Sequence, residues 1–135
     1  EENKAAKLMQ PMIDRIGGEA GVQALVTQFY DLIETLPQGA AILAMHQRGH
    51  GLAHARPAQF EFLCGFFGGR RYHSERNGAV SLREMHAHID IRAQDAEDWL
   101  GVMDQAMTDT HVGQPMQTDI MATFRRAAHK LVNVA

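Results

Sequence analysis

Ser81-Leu82-Arg83-Glu84-Met85-His86-Ala87-His88 is the stretch that decides how this chain is interpreted. Ser81 and Glu84 have the S-x-x-E spacing of a capping box, in which the serine oxygen accepts a hydrogen bond from the backbone N–H three residues later. This spacing predicts a short helix that begins at Leu82 and carries His86. His88 is expected to point away from His86, because residues two apart on a helix lie on different faces.

The segments on both sides are predicted to be helical as well. Apolar residues at spacings of three and four predict helices over residues 22–36, about 94–111 and 116–132. A short helix precedes Gly17-Gly18, residues 40–45 form one or two turns, and Pro57 opens an aromatic-rich helix that Gly68-Gly69 closes. Residues 46–56 and 70–81 are predicted to be mostly loop. No segment alternates with period two, so the predicted fold class is all-α.

Composition places the chain among single-domain globular proteins. It has 135 residues, of which 45% are hydrophobic and 21% charged, so a packed core is expected. We assign residues 1–10 to an N-terminal extension and 11–135 to one domain. The net charge of −3 argues against a nucleic-acid partner, and no apolar run approaches a membrane span. The single cysteine favours a reducing cytoplasm.

His86 is the first candidate for chemistry. A neutral imidazole held rigidly on a capped helix can serve as an axial ligand of haem iron. From the residues alone, a surface histidine or a hydrogen-bonded core histidine is the more common alternative.

The histidines at 46, 50 and 54 are the second candidate. Their spacing of four would place them in one stripe on a continuous helix, as in some zinc sites. Gly49 and Gly51 interrupt that stripe, which favours a solvated loop with one histidine facing a pocket.

Several polar side chains lie on otherwise apolar faces. Tyr30 and Gln59 need hydrogen-bond partners if buried, and these partners are either protein groups or a bound ligand. Trp99 is most simply a core aromatic whose indole N–H needs an acceptor. Cys64 has an apolar setting, which indicates packing. Four arginines near His86 either face solvent or pair with ligand carboxylates: Arg70, Arg71, Arg76 and Arg83.

Taken in order, the motifs resemble the truncated haemoglobins, and within them group II. The resemblance covers about residues 10–133, and Trp99 is the feature that points to group II. The motifs that carry it are Ile16-Gly17-Gly18-Glu19-Ala20-Gly21, Phe29-Tyr30, Phe67-Gly68-Gly69 with Tyr72, Ser74-Glu75-Arg76 and Gly78, then Leu82-Arg83-x-x-His86-Ala87, Trp99-Leu100 and Ala128-His129.

The resemblance implies a shortened globin in which two helix pairs sandwich haem b, an arrangement termed two-over-two. It implies that His86 is the proximal iron ligand and that Ala55 replaces the distal histidine of larger globins. The distal, ligand-stabilising set would be Tyr30, Trp99, His46, Gln59 and Ala55. Further cofactor contacts would be Tyr72, Arg83, Phe62, Leu63 and Met103. Met85 stands where the family often has arginine, so contact with a haem propionate is expected to depend on Arg83 and Tyr72.

The expected function is reversible binding of O2, NO or CO at a pentacoordinate haem iron. A pocket with several donors would slow ligand escape, which suits sensing, scavenging or redox chemistry of O2, NO or peroxide better than bulk oxygen transport. Turnover like that of an NO dioxygenase or a peroxidase would need an external reductant, for example from a reductase, and the chain would be a monomer or a homodimer. Two alternatives remain: a haem-free helical regulatory or interaction domain, and a histidine-loop zinc protein.

Overall fold

A computed structural model describes residues 11–78 and 81–135, so the N-terminal extension predicted over residues 1–10 lies outside the described residues. The described part is helical and contains no strand, which confirms the all-α prediction. The helices are α1 Met12–Arg15, α2 Gly18–Thr35, α3 Ala40–Arg48, α4 Leu52–Phe66, α5 Tyr72–Asn77, α6 Leu82–His86, α7 Ala93–Asp109 and α8 Met116–Lys130, with a 3-10 turn at Pro37–Gly39. No helix in the described ranges is long and apolar enough to cross a membrane.

The core forms where α2 packs against both α4 and α7, and where α7 packs against α8. Each helix contributes one apolar face, as the spacing of three and four predicts. The largest fully buried side chains are Leu25, Phe29 and Ile33 on α2, Leu63 on α4, Phe67 after it, Leu100, Met103 and Met107 on α7 and Ile120 on α8. These contacts make two helix pairs, α2 with α4 and α7 with α8, which meet through α2 and α7.

The glycines around residue 17 allow α1 and α2 to come very close. Gly17 has a φ of 100°, in the left-handed region that side chains disfavour. A Cβ on Gly21 would lie 1.8 Å from the Ile16 carbonyl oxygen. This glycine motif is therefore a requirement of backbone packing at the start of α2.

The predicted loop over residues 46–56 is wrong for most of its length. The preceding helix continues to Arg48, and α4 begins at Leu52, so Pro57 lies inside α4 and does not open it. Contacts with α2 stabilise the helical turn before Pro57. Arg56 donates to Asp31 at 2.9 Å and to Glu34 at 2.8 Å on α2. These tertiary contacts stabilise a turn that a proline in sixth position would otherwise weaken.

The predicted irregular segment over residues 70–81 contains a helix, α5, whereas residues 79 and 80 lie outside the described residues. Charged and polar pairs hold this helix in place. Arg76 donates to Glu61 at 2.8 Å, and the Tyr72 hydroxyl donates to Glu19 at 3.1 Å. Apolar periodicity does not reveal such contacts, which is why the sequence suggested a loop.

Candidate functional site

A cavity of about 430 Å³ lies among the helices α2 to α8. Its walls are mostly apolar, and a few polar side chains interrupt them. The apolar part includes Ile42, Met45, Ala55, Phe62, Phe66, Leu82, Met85, Ile89, Ile91, Phe124 and Leu131. The polar part includes Tyr30, His46, Gln59, His86 and Trp99. This is the size and character of a pocket for a small organic ligand, for which about 300–1,000 Å³ is typical.

His86 reaches the cavity from the last residue of α6. The helix begins as predicted, since the Ser81 Oγ accepts the Glu84 N–H at 3.1 Å. The His86 Nδ1 lies 2.7 Å from the Leu82 carbonyl oxygen. A carbonyl oxygen can only accept, so Nδ1 carries the proton and Nε2 of the neutral ring keeps its lone pair. Such an imidazole is oriented and ready to ligate a metal.

A group of aromatic side chains forms another part of the wall. Tyr30 on α2 is 2% exposed, and its ring stacks edge-on against Phe29, with centroids 4.9 Å apart. Trp99 on α7 also packs against Phe29, with ring centroids 5.3 Å apart. His46 on α3 packs edge-on against Tyr30 at 5.8 Å, and its Nδ1 donates to the Ile42 carbonyl oxygen at 2.8 Å. The structure thus brings together three of the predicted distal residues.

The Tyr30 hydroxyl is kept in its protonated form. Burial raises its pKa above the ordinary value, and the Arg56 guanidinium, 5.7 Å from the ring centroid, opposes this shift. A hydroxyl that stays protonated is a hydrogen-bond donor throughout the neutral range. Tyr30 can therefore donate to a ligand in the cavity.

The other predicted site residues divide into two groups. Ala55, Gln59 and Phe62 on α4 line the cavity. Leu63 and Met103 are fully buried in the core, and among the described residues they do not belong to the cavity lining.

Tyr72 and Arg83 also lie outside the described cavity lining. The Tyr72 hydroxyl is bound to both Glu19 oxygens at 3.1 Å, and the Arg70 guanidinium lies 4.3 Å from its ring centroid. Arg83 is exposed on α6. Neither side chain points into the cavity as it stands.

Histidines border the cavity to an extent that the sequence did not suggest. Six of the chain's eight histidines line it: His46, His50, His54, His73, His86 and His88. Both His86 and His88 border the cavity, and because α6 ends at His86, the helical-face argument does not apply to His88. No lysine or arginine belongs to the lining over residues 11–78 and 81–135. The ionisable side chains of the lining are therefore mainly histidines, together with Tyr30 and Asp95.

The histidine-loop zinc hypothesis gains no support from this arrangement. Within the described part of the chain, no three His, Cys, Asp or Glu side chains are placed to hold a metal ion together. His50 and His54 stand with their ring centroids 5.0 Å apart. The Gly49–Gly51 break separates His46 from a common helical stripe with them.

An all-helical domain with an oriented imidazole and clustered donors around an apolar cavity defines a protein of the globin class. The chain belongs to the bacterial-like globin family, whose family model matches residues 11–133. Membership implies a haem cofactor and small diatomic ligands such as O2. A comparison with curated protein sequences found no match.

Solved structures share the whole fold. A cold-adapted truncated haemoglobin from Pseudoalteromonas haloplanktis TAC125 superposes with a TM-score of 0.85 at 27% identity, over 93% of this chain and 100% of that one. A group II 2-on-2 haemoglobin from Agrobacterium tumefaciens gives 0.84 at 29% identity, over 93% and 95%. A haemoglobin from Chloroflexus aurantiacus gives 0.79 at 30% identity, over 93% and 99%. The two-over-two fold is thereby confirmed.

Proposed function

We propose that the protein holds haem b in the 430 Å³ cavity through Nε2 of His86 and binds a small diatomic ligand beside Tyr30 and Trp99. The observation that carries this proposal is the hydrogen bond from His86 Nδ1 to the Leu82 carbonyl oxygen. It fixes the tautomer whose Nε2 lone pair can ligate a metal. His86 has this geometry at the edge of a largely apolar cavity, where its Nε2 can ligate the iron of a bound haem.

The residues present fit this cofactor. Haem is a flat, apolar ring with two carboxylates, and the cavity combines apolar walls, such as Phe62 and Phe66, with exposed histidines such as His50 and His54. When bound, haem supplies an iron centre whose free coordination position takes O2, NO or CO. The protein's part is to hold the ring, exclude water and place hydrogen-bond donors.

Tyr30, Trp99 and Gln59 would donate hydrogen bonds to the ligand. All three line the cavity, so their donor groups can reach a bound molecule. Because a ligand must break several such bonds to leave, this set supports slow release. Slow release suits sensing, scavenging or redox chemistry of O2, NO or peroxide better than transport.

His46 would leave the distal position open. Its Nδ1 donates to its own helix at Ile42, and its ring packs against Tyr30. The contact with Tyr30 favours a role beside the ligand and a pentacoordinate iron. The Nδ1 bond leaves Nε2 with a lone pair, as in His86, so coordination by His46 is the alternative that a spin-state measurement tests.

The haem carboxylates would meet the rim histidines first. His50 and His54 are exposed cavity-lining residues, and protonated imidazoles bind carboxylates through charge-assisted hydrogen bonds. The propionate contacts expected of Tyr72 and Arg83 require side-chain movements, since Tyr72 is bound to Glu19. We propose the rim histidines as the carboxylate contacts in the arrangement described.

Haemin titration of the recombinant protein tests the proposal. The wild type should develop a Soret band at one equivalent, and His86→Ala should lose or displace it, because the strongest ligand is gone. His88→Ala is the matched control, since it also lines the cavity and should leave the spectrum unchanged. A wild type without a Soret band, or an unchanged band in His86→Ala, would refute the assignment.

A further inference from the structure

The segment that joins α6 to α7 is held by Asn133, a residue that follows α8. The Asn133 side chain accepts the Ile91 N–H at 2.8 Å and donates to the Ile89 carbonyl oxygen at 2.7 Å. Its own backbone N–H donates to the Ile91 carbonyl oxygen at 2.9 Å. One residue thus satisfies three backbone groups of a non-helical segment, which would otherwise need other partners.

These bonds continue to His86. The Ile89 N–H donates to the His86 carbonyl oxygen at 3.1 Å, so Asn133 holds Ile89 and Ile89 holds the last residue of α6. Ile89 and Ile91 also line the cavity. Asn133 therefore fixes both the backbone after His86 and a part of the cavity wall.

The length of α6 makes such support necessary. A helix of five residues, Leu82–His86, is too short to be stable alone, because helix formation is unfavourable until several turns are formed. Ser81 caps its first turn. After the last residue of α6, the first hydrogen bonds from the described backbone to a distant part of the chain are those with Asn133.

We propose that Asn133 is a positioning residue for His86, which sets the direction and rigidity of the imidazole through the Ile89–Ile91 segment. This inference rests on the proposed function, in which His86 ligates the iron. Asparagine suits the task because its amide both donates and accepts at a short reach. Aspartate has the same shape but only accepts, so it would place an oxygen against the Ile89 carbonyl oxygen.

The experiment compares Asn133→Asp and Asn133→Ala with the wild type. The control is Gln94→Ala, which removes an exposed amide that bonds Asp98 within α7. In the ferrous haem-loaded protein without an added ligand, resonance Raman spectroscopy reports the iron–histidine stretch directly. Both Asn133 variants should shift or broaden this band and lose haem to an excess acceptor globin several-fold faster. Gln94→Ala should match the wild type in both measurements.

A second measurement needs no haem. Hydrogen exchange of the Ile89 and Ile91 amides in the haem-free protein should become at least several-fold faster in Asn133→Ala. Helicity by circular dichroism should stay that of the wild type, since α8 ends before Asn133.

The outcomes separate the two proposals. Unchanged exchange in Asn133→Ala overturns the positioning role, whether or not haem binds. If exchange rises but the iron–histidine band and haem loss match those of the wild type, the segment is held without effect on His86, and the inference is also wrong. Failure of the wild type to take up haem through His86 instead refutes the proposed function, together with the inference that rests on it.

Discussion

Tyr30→Phe removes one hydroxyl from the cavity and little else. The ring can keep its edge-on contacts with Phe29 at 4.9 Å and with His46 at 5.8 Å. Tyr30 lines the cavity, and burial and the Arg56 charge, with no hydrogen bond, account for its shifted pKa. We therefore expect a change in stability below about 1 kcal/mol, the net value of a typical hydrogen bond.

The effect on ligand release should be much larger. A hydrogen bond to a partly charged ligand contributes about 1.5–3 kcal/mol, and each 1.36 kcal/mol changes a rate by about tenfold. Trp99 and Gln59 also face the cavity and would retain the ligand in part. The loss in Tyr30→Phe should therefore lie at the low end of this energy range, so that O2 leaves the ferrous protein about tenfold faster. Adding Trp99→Phe should bring the increase to about a hundredfold.

Stopped-flow measurement of O2 displacement by excess CO gives this rate. Tyr72→Phe is the matched control, because its hydroxyl bonds Glu19 outside the cavity and its loss should leave the rate unchanged. An O2 dissociation rate in Tyr30→Phe within about twofold of the wild type, or an equal increase in Tyr72→Phe, would refute the assignment of Tyr30 as the donor.

Three further predictions concern other parts of the molecule. Gly21→Ala should destabilise the protein by about 1–3 kcal/mol or more, because the new Cβ would lie 1.8 Å from the Ile16 oxygen. Gly101→Ala, within α7, should stabilise the protein by up to about 1 kcal/mol, because the new Cβ would have no atom of another segment nearer than 3.6 Å. Thermal unfolding of the two variants checks both expectations, and equal unfolding midpoints would contradict the packing argument. Burial raises the pKa of Cys64 to about 11, so roughly one thiol in a thousand is ionised at pH 8. Native Cys64 should resist a thiol reagent that labels the unfolded chain at once. The free energy of unfolding should also fall as the pH rises above 9.0, the ordinary pKa of a cysteine, because between 9.0 and about 11 only the unfolded thiol ionises. Ferric haem-loaded protein should give a high-spin electron paramagnetic resonance signal, whereas a low-spin signal that disappears in His46→Ala would show that His46 occupies the sixth position.

Much of the fold is predictable from the sequence because it rests on local patterns. The apolar faces of α2, α7 and α8 follow the helical period, and the Ser81 cap marks the start of α6. The errors lie where tertiary contacts decide. Proline statistics place a helix start at Pro57, yet Arg56 holds an earlier turn against α2.

The candidate site divides in the same way. Tyr30, Trp99 and His86 are candidates from sequence because each is a polar group in an apolar or capped setting, and the resemblance to the truncated haemoglobins is what selects them together. The position of the Tyr72 side chain cannot be predicted from the sequence, because it depends on a hydrogen bond to Glu19, 53 residues away. The Asn133 contacts join residues 42 and 44 apart, and no local motif marks them.

The six cavity histidines have a consequence for mutational tolerance. His86 shares with His46 an Nδ1 bond to the carbonyl oxygen four residues earlier, and it differs from the other five by the Ile89–Ile91 segment that follows it. Substitution of any one of the five histidines other than His86 should therefore be tolerated, because four of those imidazoles remain at the cavity wall beside His86.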